Sequence, residues 1–133
     1  MKKLTGLLLV VILITSGCTK SDSSTDEFSN SLKLGTSING SNFTLNGEGT
    51  VFQRGTTICF RLESKDDIAG STVRIAINEI GTNVYENHDY PSVQNYGHIS
   101  MSSFSVANPG NYTATGILTT GNKTVASINF TIQ

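Results

Sequence analysis

The sequence predicts an all-β chain folded as a single antiparallel β-sandwich of seven to eight strands. Three observations favour this fold class. Apolar and polar residues alternate with a period of two in several segments, which indicates strands with one buried and one solvated face. After the N-terminal region, no segment has a convincing helical period. Asn and Gly separate the alternating segments at short intervals, which is typical of sandwiches of short strands.

The best-defined strands are three segments in which every second residue is apolar. The residues between these positions, such as Arg61, Arg74 and Asn129, suit a solvated face. Each apolar set is therefore expected to face the core. The three sets are Ile58, Phe60 and Leu62; Val73, Ile75 and Ile77; and Ala126, Ile128, Phe130 and Ile132.

A fourth segment, ISMSSFSV (residues 99–106), breaks the alternation. Ile99 and Met101 have one parity, whereas Phe104 and Val106 have the other. A β-bulge adds one residue to a strand and reverses the parity beyond it. We therefore expect a bulge at the Ser-Ser pair between the two halves, which would bring all four apolar side chains to one face.

The segments are separated by residues that tolerate a positive φ, as tight hairpin turns require. These turn signals are Asn39-Gly40, Asn46-Gly47, Gly81-Thr82-Asn83, Asn108-Pro109-Gly110 and Thr120-Gly121-Asn122.

Residues 104–133 resemble the last three strands of immunoglobulin-like domains, and the resemblance extends over about residues 50–133. In those domains a corner precedes a Tyr, and a disulfide cysteine follows two residues later. Here the corner contains Gly110, the Tyr is Tyr112, and the cysteine position is Ala114. The resemblance implies a structural role for Gly110 and Tyr112, whose hydroxyl would bond the backbone upstream. The chain has no Trp and no second core cysteine, which excludes an antibody-type domain and favours the wider bacterial immunoglobulin-like group.

The N-terminal residues combine features of a secretory signal. Lys2 and Lys3 precede an apolar run at residues 7–14, which is shorter than the ~20 residues of a membrane span. The run ends in TSGC, with Gly17 before Cys18. This ending resembles the lipobox of bacterial lipoproteins, although Thr15 replaces the usual Leu. The resemblance implies cleavage before Cys18, acylation of Cys18 (palmitate among the acyl groups) and attachment to a membrane.

The chain therefore divides into a signal peptide (residues 1–17), a lipidated Cys18 with a flexible tether (18–29) and a β-sandwich (30–133). The tether is polar and Ser-rich, and as a coil it would span ~20 Å. Thr19 replaces the Asp that often retains Gram-negative lipoproteins in the inner membrane, so the resemblance favours the outer membrane, on its periplasmic or cell-surface face. Cys59 is left without a partner in the chain and is expected to be an inert thiol.

Charge and motifs exclude several functions. Without Lys2 and Lys3, seven cationic side chains remain against ten carboxylates, a net charge of −3. A chain without a basic patch is not expected to bind nucleic acid. Catalytic signatures such as GxSxG and HExxH are absent from the sequence, so we expect no enzyme and no cofactor.

The most unusual segment is VYENHDYPSVQNYGH (residues 84–98), which is too polar for a buried strand. It predicts a long loop between two strands, the usual place for a binding site on a rigid scaffold. Tyr rings with carboxylate and amide neighbours suit a glycan or a protein partner. Metal binding is not expected, because the His and Asp spacing matches no metal motif. The candidate ligand-binding residues are Tyr85, Glu86, His88, Asp89, Tyr90, Tyr96 and His98.

The leading hypothesis from the sequence is a lipid-anchored, non-catalytic binding module of the bacterial outer membrane. The sandwich would display the Tyr- and His-rich segment to an envelope protein or a glycan. Two alternatives remain open. The chain could be a structural accessory lipoprotein of an envelope complex that uses an exposed strand edge, or an inhibitor or immunity lipoprotein.

Overall fold

The computed structural model describes residues 27–68, 70–91 and 95–133. The predicted signal peptide, Cys18 and most of the predicted tether lie outside these residues. The described chain is all-β, as predicted, with eleven strands, a 3-10 turn at Thr120–Asn122 and no α-helix. Seven of the strands have five residues or more. The strands are β1 (Ser31–Gly35), β2 (Ser37–Asn39), β3 (Thr44–Asn46), β4 (Val51–Phe52), β5 (Thr57–Glu63), β6 (Val73–Glu79), β7 (Tyr85–Tyr90), β8 (Asn95–Tyr96), β9 (Ile99–Ser105), β10 (Gly110–Leu118) and β11 (Lys123–Ile132).

The strands form two main sheets and one small hairpin. The four-stranded sheet has the order β1-β5-β9-β8, and the five-stranded sheet has the order β4-β11-β10-β6-β7. Strands β2 and β3 pair only with each other. Among the described pairs, one departs from the predicted antiparallel arrangement, because β4 runs parallel to β11.

The predicted alternation appears directly in the burial pattern. Ile58, Phe60 and Leu62 of β5 are fully buried, and the predicted apolar residues of β6 are buried with them. Both main sheets contribute to a single apolar cluster, so the core lies between them. A Cβ at Gly116 of β10 would clash with the Leu62 side chain across this core, so the two sheets are in close contact there.

The prediction of a bulge in β9 is wrong. Strand β9 pairs with β5 in an unbroken register over its full length. Phe104 therefore faces the main core, whereas Ile99 and Met101 face the other side and form a second cluster with Leu45 and Cys59. Because Leu45 of the β2–β3 hairpin covers this side, both faces of β9 bury apolar residues and its parity reverses without a bulge.

The strands run between two ends of the sandwich. At the proximal pole, β1 begins, β5 ends and β9 begins, since Ser31 pairs with Glu63 and Glu63 pairs with Ile99. At the distal pole, β9 ends and β10 begins after a four-residue connection. Tyr112 near the start of β10 pairs with Glu79 at the end of β6. The β6–β7 hairpin (residues 79–85) therefore lies at the distal pole, opposite the end where β1 begins.

Candidate functional site

The segment predicted as a long loop contains a strand. Strand β7 pairs with β6 along its whole length, from Val73 with Tyr90 to Asn78 with Tyr85. The loop prediction is wrong for these residues because β7 is the outermost strand of its sheet. An edge strand needs little burial, so its polar composition does not prevent strand pairing. Strand β8 follows at the edge of the other main sheet, and the side chain of Tyr96 lies outside the described part of the chain.

Strand geometry divides the predicted site residues between two faces. Successive side chains of a strand point to opposite faces of its sheet. Tyr85, Asn87 and Asp89 therefore lie on the outer face of the five-stranded sheet. Glu86, His88 and Tyr90 lie on the face that continues into the core.

Tyr90 is part of the core. Its ring is buried and packs edge-on against Phe60, with ring centroids 4.9 Å apart. Its hydroxyl donates a hydrogen bond of 2.7 Å to the Ser103 carbonyl in the other main sheet. Burial, with a smaller contribution from the charge of Glu86, raises the pKa of Tyr90 to about 12. Tyr90 thus connects the two sheets, and its polar group is already in use.

His88 and Glu86 lie side by side at the rim of the core. His88 Nε2 is 3.2 Å from Glu86 Oε1, but the atoms are not aligned for a hydrogen bond, and Nε2 is buried without such a partner. The imidazole stacks on Phe104 at a centroid distance of 5.9 Å. Glu86 is mostly exposed, with 64% of its side chain accessible. The pair places a carboxylate and an imidazole at an open strand edge.

Asp89 is committed to an ion pair on the outer face. Arg74 of β6 donates two hydrogen bonds to its carboxylate, of 2.7 and 2.9 Å. These bonds, and to a lesser degree the charges of Arg74 and His88, lower the pKa of Asp89. The pair is largely exposed, so water screens it and its contribution to stability is small.

His98 lies at the proximal pole, away from β7. Its ring stacks on Phe28 with centroids 4.2 Å apart, and Nδ1 is 3.0 Å from the Ser64 carbonyl. Next to Phe28, the Ser29 amide donates a 2.7 Å hydrogen bond to Glu63. His98 therefore helps to hold residues 28–29, which precede β1, against the proximal pole.

A cleft at the distal pole brings together residues that the sequence analysis did not group. It has a volume of about 130 Å³, and an apolar cavity of about 150 Å³ accepts a benzene ring, so one partner side chain fits. The cleft lies between the β6–β7 hairpin and the β9–β10 corner. Its lining consists of Ile77, Glu79, Val84, Tyr85, Glu86, Val106, Ala107, Asn108 and Tyr112.

Two exposed apolar side chains line this cleft. Val84 and Tyr85 of the β6–β7 hairpin are 64% and 69% exposed. Ile80 of the same hairpin is 50% exposed and lines a different pocket, with Asn111 and Phe130. Exposed apolar side chains at a cleft are a common feature of interaction sites. The sequence contained one signal for them, because Val84 and Tyr85 follow a Gly-Thr-Asn turn directly and therefore belong to a hairpin end.

The corner beside the cleft has the geometry implied by the immunoglobulin-like resemblance. The Tyr112 hydroxyl donates a 2.8 Å hydrogen bond to the Asn108 carbonyl upstream. A Cβ at Gly110 would lie 3.3 Å from both the Tyr112 ring and the Glu79 carboxylate, so this corner leaves little room for a side chain. Burial, and then the charge of Glu79, raise the pKa of Tyr112. One wall of the cleft is therefore fixed, and the negative charge of Glu79 acts on it.

Within the described residues, no group of three or more His, Cys, Asp or Glu side chains is arranged to hold a metal ion. The same residues include no helix with the length and apolarity of a membrane span. Cys59 is buried, and burial raises the pKa of its thiol, which disfavours the reactive thiolate.

No protein-family model and no curated protein matches this chain.

Proposed function

We propose that this chain is a lipid-anchored, non-catalytic binding module of a bacterial outer membrane, and that its distal pole contacts an envelope protein. Cys18 carries the lipid, residues 19–29 provide the reach, and an immunoglobulin-like sandwich holds the contact surface. The observation that carries the proposal is the exposure of Val84 and Tyr85, which line the distal cleft.

The immunoglobulin-like assignment is supported by the order of the strands and by the corner. The two sheets have the orders β1-β5-β9-β8 and β4-β11-β10-β6-β7. With β1 as strand A, β5 as B, and β6 to β11 as C, C′, D, E, F and G, these orders match the A-B-E-D and G-F-C-C′ sheets of that fold. The hydrogen bond from Tyr112 to the backbone four residues upstream is a tyrosine corner. Because this fold accommodates many functions, the assignment supports a scaffold role and leaves the partner to the contact surface.

The position of Val84 and Tyr85 supports display away from the membrane. Residues 28–30 are held at the proximal pole by Glu63, His98 and the Lys65 amide. The β6–β7 hairpin lies at the other end of the sandwich. A tether that leaves from the proximal pole therefore directs the hairpin outward, where a partner can reach it.

A protein partner suits this surface because exposed apolar side chains line the cleft and one of them is an aromatic ring. Tyr is enriched among the residues that contribute most to protein interfaces. The cleft accepts one side chain, and the carboxylates of Glu79 and Glu86 at its rim favour a cationic one. The double variant V84S/Y85A is expected to reduce partner recovery in affinity capture at least tenfold. The matched variant I38S, on the β2–β3 hairpin, is expected to leave recovery unchanged.

Lipid attachment has its own test. Full-length protein is expected to incorporate labelled palmitate and to fractionate with membranes, whereas C18S is expected to do neither. C59S serves as the control, because Cys59 lies inside the fold, and it is expected to incorporate the label normally. Equal labelling of C18S and the parent chain would contradict the anchoring proposal.

A second candidate function, glycan binding, is favoured by the outer face of the five-stranded sheet. Beside Tyr85 this face carries neutral hydrogen-bonding groups, paired as Thr113 with Asn129 and Thr115 with Ser127. Such groups suit sugar hydroxyls, and the Tyr85 ring suits a sugar face. Binding on a glycan panel that is lost in T115V/S127A and kept in V84S would favour this candidate over the protein partner.

A further inference from the structure

We propose that the free edge of β7 pairs with the same edge of a second copy of this chain. The two strands would run antiparallel, with a two-fold axis at Asn87, and would join the five-stranded sheets into one ten-stranded sheet. This self-association goes beyond the partner contact at the distal pole, and it would cover two residues of that contact, Val84 and Tyr85.

The outward backbone groups of β7 can be identified from its pairing with β6. The Glu79 amide donates to the Val84 carbonyl, which makes this a hydrogen-bonded pair. In an antiparallel ladder such pairs alternate with non-bonded pairs. The N–H and C=O groups of Tyr85, Asn87 and Asp89 therefore point away from β6. All three residues are exposed, so their backbone groups are open to a further strand.

The edge lacks three of the features that prevent strand pairing, namely Lys, Pro and a bulge. Many exposed edges carry Lys, Pro or a bulge that blocks another strand. The register of β7 with β6 is continuous from Tyr85 to Tyr90, and the strand contains neither Lys nor Pro. It does carry the ionisable side chains of Glu86 and His88 on its core-side face. These two residues determine which self-pairing is allowed.

Charge complementarity selects one register. With the axis at Asn87, Glu86 of each copy faces His88 of the other, and Val84 faces Tyr90. With the axis at Glu86, the two carboxylates would face each other, and opposed like charges are unfavourable. With the axis at His88, the two imidazoles would be opposed, and Pro91, which has no N–H, would face Tyr85.

The register centred on Asn87 also covers the most exposed apolar side chains of the edge. Val84 and Tyr85 are 64% and 69% exposed in the single chain, and both lie at the new strand pair. Because the paired strands are antiparallel, the proximal pole of each copy lies beside the distal pole of the other. The two tethers then leave in opposite directions, so this arrangement suits copies that are anchored in the outer membranes of two adjacent cells.

Single cysteine substitutions in the full-length protein test the register. Residues opposite each other in a hydrogen-bonded antiparallel pair have Cα atoms about 5.5 Å apart, within the range of a disulfide. A two-residue offset adds about 6.6 Å along the strand, beyond that range. N87C is therefore expected to give a disulfide-linked dimer on a non-reducing gel, whereas E86C and H88C are not. Two controls measure background crosslinking. S127C, on the outer face of the same sheet, measures it for an added cysteine, and the parent chain measures it for the native cysteines.

Charge variants of N87C then test why this register forms. E86K/N87C places Lys opposite His88 and is expected to reduce the dimer fraction at least fivefold. E86K/N87C/H88E restores an opposite-charge pair and is expected to recover the fraction to within twofold of N87C. Crosslinking at position 86 or 88 in place of 87, no crosslink above background in the scan, or full crosslinking of E86K/N87C would each overturn the proposal. Asn87 does not line the distal cleft, so N87C by itself leaves the lining residues of the cleft unchanged.

Discussion

Tyr90 provides the sharpest test of how the aromatic segment is built, because it lies five residues from Tyr85 but has a different environment. Tyr90 is 8% exposed and Tyr85 is 69% exposed. Tyr90 belongs to the core, where it packs on Phe60 and bonds to Ser103. Tyr85 belongs to the surface.

The magnitudes follow from these contacts. Y90F loses one neutral hydrogen bond, which costs about 1 kcal/mol of the free energy of unfolding. Y90A also loses the buried ring and leaves a cavity, which costs about 3–5 kcal/mol. Y85A removes an exposed ring and is expected to cost less than about 0.5 kcal/mol. For a domain of this size, about 1 kcal/mol corresponds to a shift in Tm of roughly 4–8 °C.

The assay is urea and thermal unfolding of residues 27–133, which contain every core residue that the structure describes. A second readout is tyrosine absorbance at alkaline pH. Because the pKa of Tyr90 is raised to about 12, its ionisation opposes folding. Its contribution to stability is complete below the unfolded-state pKa of about 10 and is lost as the pH rises to about 12. Y90F is expected to remove this alkaline loss.

Comparable destabilisation by Y85A and Y90A would refute the reasoning. So would a Y90A variant that unfolds at the same urea concentration as the parent chain. The order expected from burial is Y90A, then Y90F, then Y85A, from the largest effect to the smallest.

Three further outcomes follow from the structure. Burial alone would raise the pKa of Glu63, but the hydrogen bonds from Ser29 and Arg61 outweigh it and the pKa is lowered; its stabilisation is therefore complete above the unfolded-state value of about 4.5 and is lost as the pH falls, and E63Q should flatten the acid limb of a stability-against-pH curve. G116A places a methyl group against the Leu62 side chain and should cost about 1–3 kcal/mol in urea unfolding, whereas unchanged stability would show that the sheets are further apart. Cys59 should resist iodoacetamide in the folded protein and react in urea, and rapid labelling of Cys59 under native conditions would contradict its burial.

The sequence was sufficient for the all-β class and for most of the core. In β5 and β6 every predicted apolar position is buried, because a period-two pattern indicates which face is buried. Cys59, on the opposite face of β5, is also buried, against the second apolar cluster. The hydrogen bond from Tyr112 to the backbone upstream was expected from the resemblance to immunoglobulin-like domains and not from the period-two pattern.

The prediction failed where a residue's environment depends on distant parts of the chain. The parity change in β9 was interpreted as a bulge, since a single strand cannot reveal that Leu45 covers its second face. The observed bulge lies instead in β10–β11, where the pairing register shifts after Gly116. Val125 is buried there, although it has the opposite parity to the predicted set.

The polar composition of residues 84–98 was misleading for the same reason. A polar strand is tolerated at the edge of a sheet, and edge position is a property of strand order, which is not visible locally. The division of the candidate site follows from this pairing. Tyr90 joins the core, Asp89 pairs with Arg74, and His98 lies at the opposite pole, whereas Tyr85 and Glu86 remain at the distal cleft.

The most direct test of the proposed function is in-cell photo-crosslinking of the full-length protein from one position at each pole. A photoreactive residue at Asn83, in the β6–β7 hairpin, is expected to give a discrete crosslinked product with an envelope protein. The matched position is Thr124, which is exposed at the proximal pole and is expected to give none. A product from Thr124 and not from Asn83 would contradict the assignment of the binding surface to the distal pole.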